Sequence, residues 1–158
     1  ETNYPKGGSY ELPFLLAQRK IRRCGRGISS LAFGREVDLT KLRDKVVLIY
    51  FCASWCPPCV REHPKLKSVY DQYHKQGFEV VGISVDKSRA NSDRYTQSKK
   101  IAWPQHYEDN AWEGKLMKRF RVRYVPRLFL LDRTGRIAHQ DTRQHLKEKV
   151  RELLAKLQ

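Results

Sequence analysis

Three apolar runs stand out along the chain, at residues 46–51, 78–85 and 128–131. Each run is short and almost free of charge, which is typical of strands covered on both faces of a sheet. After the third run, Arg133-Thr134-Gly135 predicts a turn, and residues 136–140 are then expected to pair with that run as a hairpin. Strand patterns alternate with helical ones, so we predict an α/β fold with βαβ units followed by a ββα ending.

The first helical pattern lies between the first two runs. Pro58 fits the first turn of a helix, since proline needs no N–H partner there, and the pattern continues to Gln76. Gly77 predicts the end of the helix, and Pro64 inside it predicts a kink. The apolar face of this helix comprises Leu66, Val69, Tyr70 and Tyr73.

Three further helices are predicted downstream. Residues 88–100 form a weakly amphipathic pattern, and residues 112–120 form a short one after a turn and extended segment at 103–107. The last helix is predicted to start with a capping box at Asp141-x-x-Gln144. Its apolar positions repeat at helical spacing, so one face should pack on the sheet: Leu146, Val150, Leu153, Leu154 and Leu157.

The N-terminal part of the chain is less regular. Residues 1–12 read as a flexible lead-in, and we assign residues 13–158 to a single domain, since 158 residues suffice for one core. The stretch 14–33 favours a hairpin or a pair of short strands, and 37–42 a short turn or helical segment. Because the chain begins at Glu1, we expect a preceding segment, such as a signal peptide or anchor, to have been removed.

The composition is that of a globular but strongly basic protein. It is 40% hydrophobic, and its 32 Lys and Arg against 17 acidic residues give a net charge of +15. The basic residues crowd at 19–26 and 115–127. Such a field favours acidic proteins, anionic membrane surfaces or non-specific nucleic-acid binding, although a solvated surface that maintains solubility has the same composition. No apolar stretch approaches the ~20 residues of a membrane span.

The residues Trp55-Cys56-Pro57-Pro58-Cys59 carry the clearest chemical signal. They follow a predicted strand and precede a predicted helix, which places Cys56 where free N–H groups and the helix dipole stabilise a thiolate. Cys59 lies three residues on, on the same face and within bonding reach of Cys56. This arrangement predicts reversible thiol–disulfide exchange.

The cysteine pair has two other interpretations, a zinc site and a structural disulfide. A zinc site needs a second pair of ligands, but the only other cysteines, Cys24 and Cys52, form no CxxC. We therefore predict no metal and no cofactor. A disulfide that only staples the structure is the remaining alternative.

Several further motifs lie before and after the cysteine motif in the chain. With the cysteine motif included, they are Gly34-Arg35-Glu36-Val37-Asp38-Leu39, the Trp55–Cys59 motif, Glu62-x-Pro64, Gly77–Asp86, Trp103-Pro104-Gln105, Phe120–Pro126 and Leu130-Leu131-Asp132-x-x-Gly135. Together they resemble the thioredoxin superfamily, and within it the TlpA/ResA-like thiol–disulfide oxidoreductases, over roughly residues 33–140. The resemblance implies a thioredoxin-like fold with a central mixed β-sheet flanked by helices. It also implies an N-terminal extension and a segment inserted between the first βαβ unit and the cis-proline strand.

The resemblance also implies roles for individual residues. Cys56 would be the exposed nucleophile, and Cys59 the buried cysteine that resolves the mixed disulfide. Pro126 occupies the place of the cis-proline, where the backbone of Val125 would pair with an extended partner peptide. Glu62 matches an acid that would accept or return a proton for the buried thiol, although it would otherwise be an exposed helix carboxylate.

The surroundings of the pair complete the candidate site. Trp55, Pro57 and Pro58 belong to the active-site environment, as does Arg127, which replaces the threonine expected after the cis-proline. Arg127 would lower the pKa of Cys56 if close, contact an acidic partner, or point to solvent.

Two residues on the strand before the motif also depart from the family pattern. Tyr50 stands where cytoplasmic thioredoxins have a buried aspartate, which makes Glu62 the better candidate for the proton route. Cys52 is expected to be a small buried apolar residue rather than a third redox thiol. A Cys24–Cys52 bridge is disfavoured, since a cysteine on a core strand rarely meets a loop with the required geometry.

Three functions follow from these expectations. The leading one is a reductant of disulfides in exported proteins, in an extracytoplasmic or periplasmic location, with protein substrates and an upstream redox partner. The alternative is a cytosolic tryparedoxin- or nucleoredoxin-like reductant, which shares Trp-Cys-Pro-Pro-Cys but usually lacks the acid of Glu62-x-Pro64. The third is a non-catalytic module that binds an acidic partner through the basic clusters. Binding of a specific nucleic acid is not expected.

Overall fold

The structure, a computed structural model, describes residues 32–33 and 37–156. The predicted lead-in at 1–12, nearly all of the stretch 14–33 and Cys24 lie outside the described residues. The strands are β1 (Ala32–Phe33), β2 (Val37–Asp38), β3 (Val46–Cys52), β4 (Phe78–Ser84), β5 (Gln105–Tyr107), β6 (Arg127–Leu131) and β7 (Ile137–Gln140). The helices are α1 (Pro57–Tyr73), α2 (Arg89–Ser98), α3 (Lys115–Phe120) and α4 (Leu146–Ala155).

The main sheet has five strands in the order β5-β4-β3-β6-β7. β3 pairs in parallel with β4, and β4 with β5, whereas β6 runs antiparallel to both β3 and β7. The predicted mixed sheet flanked by helices is therefore confirmed. Its register places Cys52 beside Ser84, and Phe51 beside Arg127, so the carboxyl end of β3 has neighbours on both sides.

A separate two-stranded ribbon precedes this sheet. β1 pairs antiparallel with β2, with Phe33 opposite Val37. The described end of the stretch 14–33 is thus a short strand that pairs with a downstream segment. The segment 37–42 is a strand at its first two residues and a 3-10 turn over Leu39–Leu42.

The core lies where the three apolar runs meet the helices. Every residue of β3 and β4 is buried, as their largely apolar patterns predict, and the buried residues of β4 include Glu79. On one side of the sheet, Phe51, Phe120 and Phe129 form an aromatic cluster with ring centroids 5.0–6.0 Å apart. Because Phe120 ends α3, this cluster fixes the short helix against the central strands.

Helix α1 buries the face that its sequence pattern predicts. Leu66, Val69, Tyr70 and Tyr73 are all buried, and the helix runs without a break through the exposed Pro64. A 3-10 turn over His74–Gln76 follows, and Gly77 then ends the helical path at φ 96°. Glycine suits that left-handed position because it has no Cβ to clash with the backbone.

The predicted start of the last helix is wrong. Helix α4 begins at Leu146 with His145 as its N-cap, and no side-chain hydrogen bond caps it. Asp141 instead adopts φ 51°, and its carboxylate accepts a hydrogen bond from the backbone N–H of Leu128 at 3.4 Å. A tertiary contact to β6 therefore occupies the group that local spacing assigns to a cap. The predicted apolar face is still buried at Leu146, Val150 and Leu153.

His63 is an unexpected polar member of the core. It lies on α1, is 6% exposed, and has its ring 5.2 Å from Trp103 and 6.4 Å from Tyr95. Its Nε2 has no hydrogen-bond partner among the described residues. Burial, reinforced by the charges of Lys99 and Lys67, lowers the pKa of His63 from its ordinary value of 6.5.

This burial predicts a loss of stability in acid. Below about pH 6.5 the unfolded chain takes up a proton at His63 that the folded state resists, so the free energy of unfolding should fall as the pH drops from 7.5 to 5. His63→Gln should weaken that dependence in urea unfolding at several pH values. The substitution should not remove the pH dependence altogether, because burial also lowers the pKa of His139. The exposed His145→Gln is the control, and equal pH slopes for wild type and His63→Gln would contradict the prediction.

Candidate active site

The cysteine pair lies where β3 gives way to α1. Cys56 is the N-cap residue of α1, and a disulfide bond joins it to Cys59, with the two Cα atoms 5.3 Å apart. The backbone N–H of Cys59 also donates to the sulfur of Cys56 at 3.3 Å. The structure thus brings the two predicted redox residues together at a helix N-terminus.

Two prolines make this helix start unusual. Pro57 and Pro58 occupy its first two positions, where neither has an N–H to donate. The amide of Cys59 is therefore the first helical donor, and it is directed at the sulfur of Cys56. After reduction, that N–H and the helix dipole would stabilise negative charge on Cys56, which lowers a thiol pKa.

The expected difference in exposure between the two cysteines is absent in the disulfide form. Cys56 is 3% exposed and Cys59 is 1% exposed, so the expectation of an exposed Cys56 is wrong for this state. The physical reason is that the sulfur of Cys56 folds over the first turn of α1 towards Cys59. The neighbouring Trp55 is half exposed, with 50% of its surface open, and the two prolines are exposed as well.

A buried carboxylate holds the turn that leads into the motif. Asp86, only 1% exposed, follows β4 and accepts hydrogen bonds from the backbone N–H of Ser54 at 3.1 Å and from its hydroxyl at 2.6 Å. The Ser84 hydroxyl donates to the same carboxylate at 2.8 Å. Ser54 is two residues before Cys56, so Asp86 sets the path of the chain into the helix. Sequence reasoning missed this role, although an acidic residue directly after a buried strand was a usable signal.

Cys52 is a packing residue, as predicted. It is the last residue of β3 and is buried, and burial, with a smaller contribution from Asp86, raises the pKa of its thiol to about 12. A thiol in that environment stays protonated and unreactive.

The predicted cis-proline is confirmed as a cis peptide bond between Val125 and Pro126. Pro126 is buried and leads directly into β6, while Val125 is partly exposed. The register pairs Arg127 with Phe51, a few residues before Cys56. The cis bond therefore directly precedes β6, the strand that pairs with β3. The carboxyl end of β3 leads to the cysteine motif.

The side chain of Arg127 is held by residues near β6 and β7. Its guanidinium pairs with Asp141, donates to the Tyr124 hydroxyl at 2.8 Å and donates to Gln140 at 3.0 Å. It also lies over the rings of Tyr124 and Phe129, at 5.4 and 5.3 Å from their centroids. The charge is thus matched by Asp141. These contacts with Arg127 hold Tyr124 in place at the surface, where it is 52% exposed.

Glu62 borders a cleft along α1. The cleft has a volume of about 480 Å³, and Tyr50, Leu128 and Arg143 also line it. The Glu62 side chain is 18% exposed, with Lys65 at 3.7 Å, so it is neither buried nor freely solvated.

Tyr50 joins this cleft to the cysteine pair. Its hydroxyl donates to the carbonyl oxygen of Cys59 at 3.2 Å. Burial raises the pKa of Tyr50 far above its ordinary value, so the hydroxyl remains a donor. The tyrosine that replaces the thioredoxin aspartate is therefore a neutral link between the cleft and the first turn of α1.

Neither a metal centre nor a membrane-spanning helix is found in the described ranges. No group of three or more His, Cys, Asp or Glu side chains there could hold a metal ion. Across the same residues, no helix combines the length and apolar character needed to cross a membrane.

Fold and site together define a thiol–disulfide oxidoreductase domain. The family model described as thioredoxin-like matches residues 44–137, and the chain belongs to this family. The resemblance seen in the sequence motifs is thereby confirmed.

Individual relatives support the same class. The chain is 33% identical over 111 residues to a protein of Oryza sativa subsp. japonica described as probable nucleoredoxin 2. It is 29% identical over 121 residues to the thiol-disulfide oxidoreductase ResA of Geobacillus thermodenitrificans. A solved thiol-disulfide oxidoreductase from Bacteroides fragilis superposes with a TM-score of 0.64 at 28% identity, over 70% of this chain and 82% of that one.

The matches differ in extent. The nucleoredoxin match covers 68% of this chain but 28% of the relative, and the ResA match covers 72% and 68%. The shared part is thus the domain that carries the cysteine pair.

Removal of the Asp86 carboxylate should harm both stability and exchange. Asp86→Ala leaves the N–H and hydroxyl of Ser54 without their acceptor, which should cost about 2–4 kcal/mol in urea unfolding and slow thiol–disulfide exchange. Asp132→Ala is the matched control, because Asp132 also accepts several local hydrogen bonds, but in an exposed turn. That control should cost about 1 kcal/mol and leave exchange unchanged. Wild-type stability and rate in Asp86→Ala would contradict the assignment.

Proposed function

We propose that this protein catalyses thiol–disulfide exchange with protein substrates through Cys56 and Cys59. The observation that carries the proposal is the bonded cysteine pair at the start of α1, with the Cys59 amide on the sulfur of Cys56. In the reducing direction, the Cys56 thiolate attacks a substrate disulfide and releases one substrate thiolate. Cys59 then attacks the Cys56 sulfur and releases the second. The substrate gains two electrons, and an upstream redox partner must reduce the Cys56–Cys59 disulfide again.

Glu62 serves this cycle as the proton acceptor for Cys59. The Cys59 thiol is buried, so it must lose its proton before it can attack the mixed disulfide. Glu62 lies one helical turn after Cys59 and borders the cleft that Tyr50 links to that cysteine. Its partial exposure allows the carboxylate to exchange the proton with solvent.

Partner proteins dock across the cis-proline segment and the motif. Val125 is partly exposed, so its backbone can pair with an extended peptide as an added strand. Arg127 contributes indirectly, because its contacts hold the exposed Tyr124 in place. Trp55, Pro57 and Pro58 are exposed beside Cys56 in the chain and would contact the same partner.

The substrates in this proposal are disulfides of exported proteins, in an extracytoplasmic compartment. Support comes from Glu62-x-Pro64, a feature of TlpA/ResA-like proteins, and from the similarity to ResA. The second candidate is a cytosolic nucleoredoxin-like reductant, which the 33% identity to the rice relative favours. For either reductant, the cysteine pair should have a reduction potential near or below about −270 mV, whereas about −120 mV indicates an oxidant.

The two cysteines should behave differently when each is replaced. Cys56→Ser should abolish dithiothreitol-linked insulin reduction, since the attacking sulfur is gone. Cys59→Ser should trap a mixed disulfide at Cys56, detectable by mass spectrometry. Cys52→Ala, which alters only a buried packing residue, is the control and should retain turnover. Wild-type turnover in Cys56→Ser would leave only a binding role for the domain.

Loss of the Glu62 charge should slow exchange without unfolding the protein. Glu62→Gln keeps the size of the side chain but removes the proton acceptor. At each pH between 6 and 9, its exchange rate should be about 100-fold below that of the wild type. Asp71→Asn provides the comparison, since Asp71 is an exposed carboxylate on the same helix that pairs with Lys67. Unchanged rates for Glu62→Gln across this range would reject the relay.

A further inference from the structure

A second groove lies beside the active site and has no part in the chemistry above. It has a volume of about 310 Å³ and is formed by α3 and the residues just before and after it. Trp112, Lys118, Arg121 and Arg123 form its polar and aromatic walls, with Met117 and Val122 also lining it. We refer to it as the basic groove.

Two of its cations are available for a ligand. Lys118 is paired with Glu113 at 3.0 Å, which neutralises the only acidic side chain that lines the groove among the described residues. Arg121 and Arg123 are exposed, and their side chains make no ion pair or hydrogen bond with any described residue. Arg121 follows α3 at φ 52°, and its backbone N–H donates to the carbonyl oxygen of Lys118 at 3.2 Å. The backbone at Arg121 is thereby fixed beside the helix end.

The basic groove adjoins the redox centre on two sides. Trp112 stacks obliquely against Trp55, with ring centroids 6.4 Å apart, and both rings are exposed at the surface. Trp55 directly precedes Cys56 in the chain. At the other end, Arg123 is two residues before Val125, about 7 Å of extended chain. A peptide lying across Cys56 and Val125 would therefore pass these guanidinium groups.

We infer that the basic groove recognises acidic side chains close to the reactive cysteine of a protein substrate. This rests on the proposed function, and it names the class of substrate that the site prefers. Carboxylates within about four residues of the substrate cysteine would reach Arg121 and Arg123, since an extended strand advances about 3.3 Å per residue. The planar guanidinium fork matches a carboxylate in two parallel hydrogen bonds, and the tryptophan pair offers apolar contact area beside it.

A short acidic segment fits this surface better than nucleic acid does. The groove presents two guanidinium groups, and its Trp112 contacts Trp55, the residue before Cys56, which suits one or two carboxylates on a peptide. A polyphosphate chain gains affinity by neutralising many phosphates along a continuous basic track. The remaining cations of α3, Lys115 and Arg119, do not line the groove.

The test compares peptide disulfides that differ only in the residues around the cysteine. One carries Glu and Asp within four positions of the cysteine, one carries Lys there, and one is neutral. Wild-type protein should reduce the acidic peptide about tenfold faster than the neutral one at 20 mM salt, with a smaller advantage at 200 mM. Arg121→Ser/Arg123→Ser should remove the preference and keep the rate on the neutral peptide. Arg121→Glu/Arg123→Glu should transfer the preference to the Lys peptide.

The matched control is Lys115→Ser/Arg119→Ser, which removes the same charge from the same helix region outside the groove. It should keep the preference for the acidic peptide. Loss of preference in this control to the same degree would overturn the inference, since a diffuse field would then explain it. No acidic preference in the wild type would overturn it as well.

A binding experiment separates this inference from the proposed function. A fluorescent acidic peptide with serine in place of its cysteine is titrated into Cys56→Ser protein, which cannot perform exchange. Binding that weakens about tenfold in Arg121→Ser/Arg123→Ser supports the groove even if no peptide is ever reduced. Equal binding of the acidic and neutral peptides overturns it, as does tighter binding of a single-stranded oligonucleotide of equal charge at the same arginines.

Discussion

The buried carboxylate of Asp86 is the constraint on which the site depends. It joins the end of β4 to the turn after β3 through three hydrogen bonds from Ser54 and one from Ser84. A turn between a buried strand and a helix has many possible paths, and this carboxylate selects one of them. The chain then reaches Cys56 as the N-cap of α1, and the amide of Cys59 meets its sulfur. Because a buried acceptor without its donors is costly, the turn and the carboxylate stabilise each other.

Two environments surround the cysteine pair. One is the cleft that Tyr50 and Glu62 border, where a neutral hydroxyl contacts the Cys59 carbonyl and a partly buried carboxylate can exchange protons. The other is an aromatic and cationic surface, from Trp55 and Trp112 to the guanidinium groups that follow α3. The first environment concerns the chemistry of the resolving sulfur, and the second concerns which polypeptide approaches the attacking one. Since the two lie on different elements, substitutions can alter either without altering the other.

Arg127 shows how a tertiary contact changes the role of a charged residue. Its position after the cis-proline predicts a charge that acts on Cys56, contacts an acidic partner or points to solvent. In the fold, Asp141 neutralises that charge, and the side chain is enclosed by Tyr124, Phe129 and Gln140. The same contact takes Asp141 away from the helix cap that its spacing predicts, and α4 begins without a side-chain cap. One ion pair between β6 and the residue after β7 thus accounts for both differences.

The order of strands and helices, the cysteine pair and the cis-proline could all be predicted from the sequence. The strands, helices and cysteine pair rest on local rules, such as apolar runs for buried strands and N–H-free prolines at a helix start, whereas the cis-proline is what the family resemblance implies. Asp86, the Tyr50–Cys59 contact, the burial of Cys56 and the Trp55–Trp112 pair could not be predicted in this way. The burial of Cys56 follows from its bond to Cys59, three residues away, but the partners in the other contacts lie between 9 and 57 residues apart in the chain. Such pairs depend on sheet register and helix packing, which decide the distances between side chains and which no local pattern records.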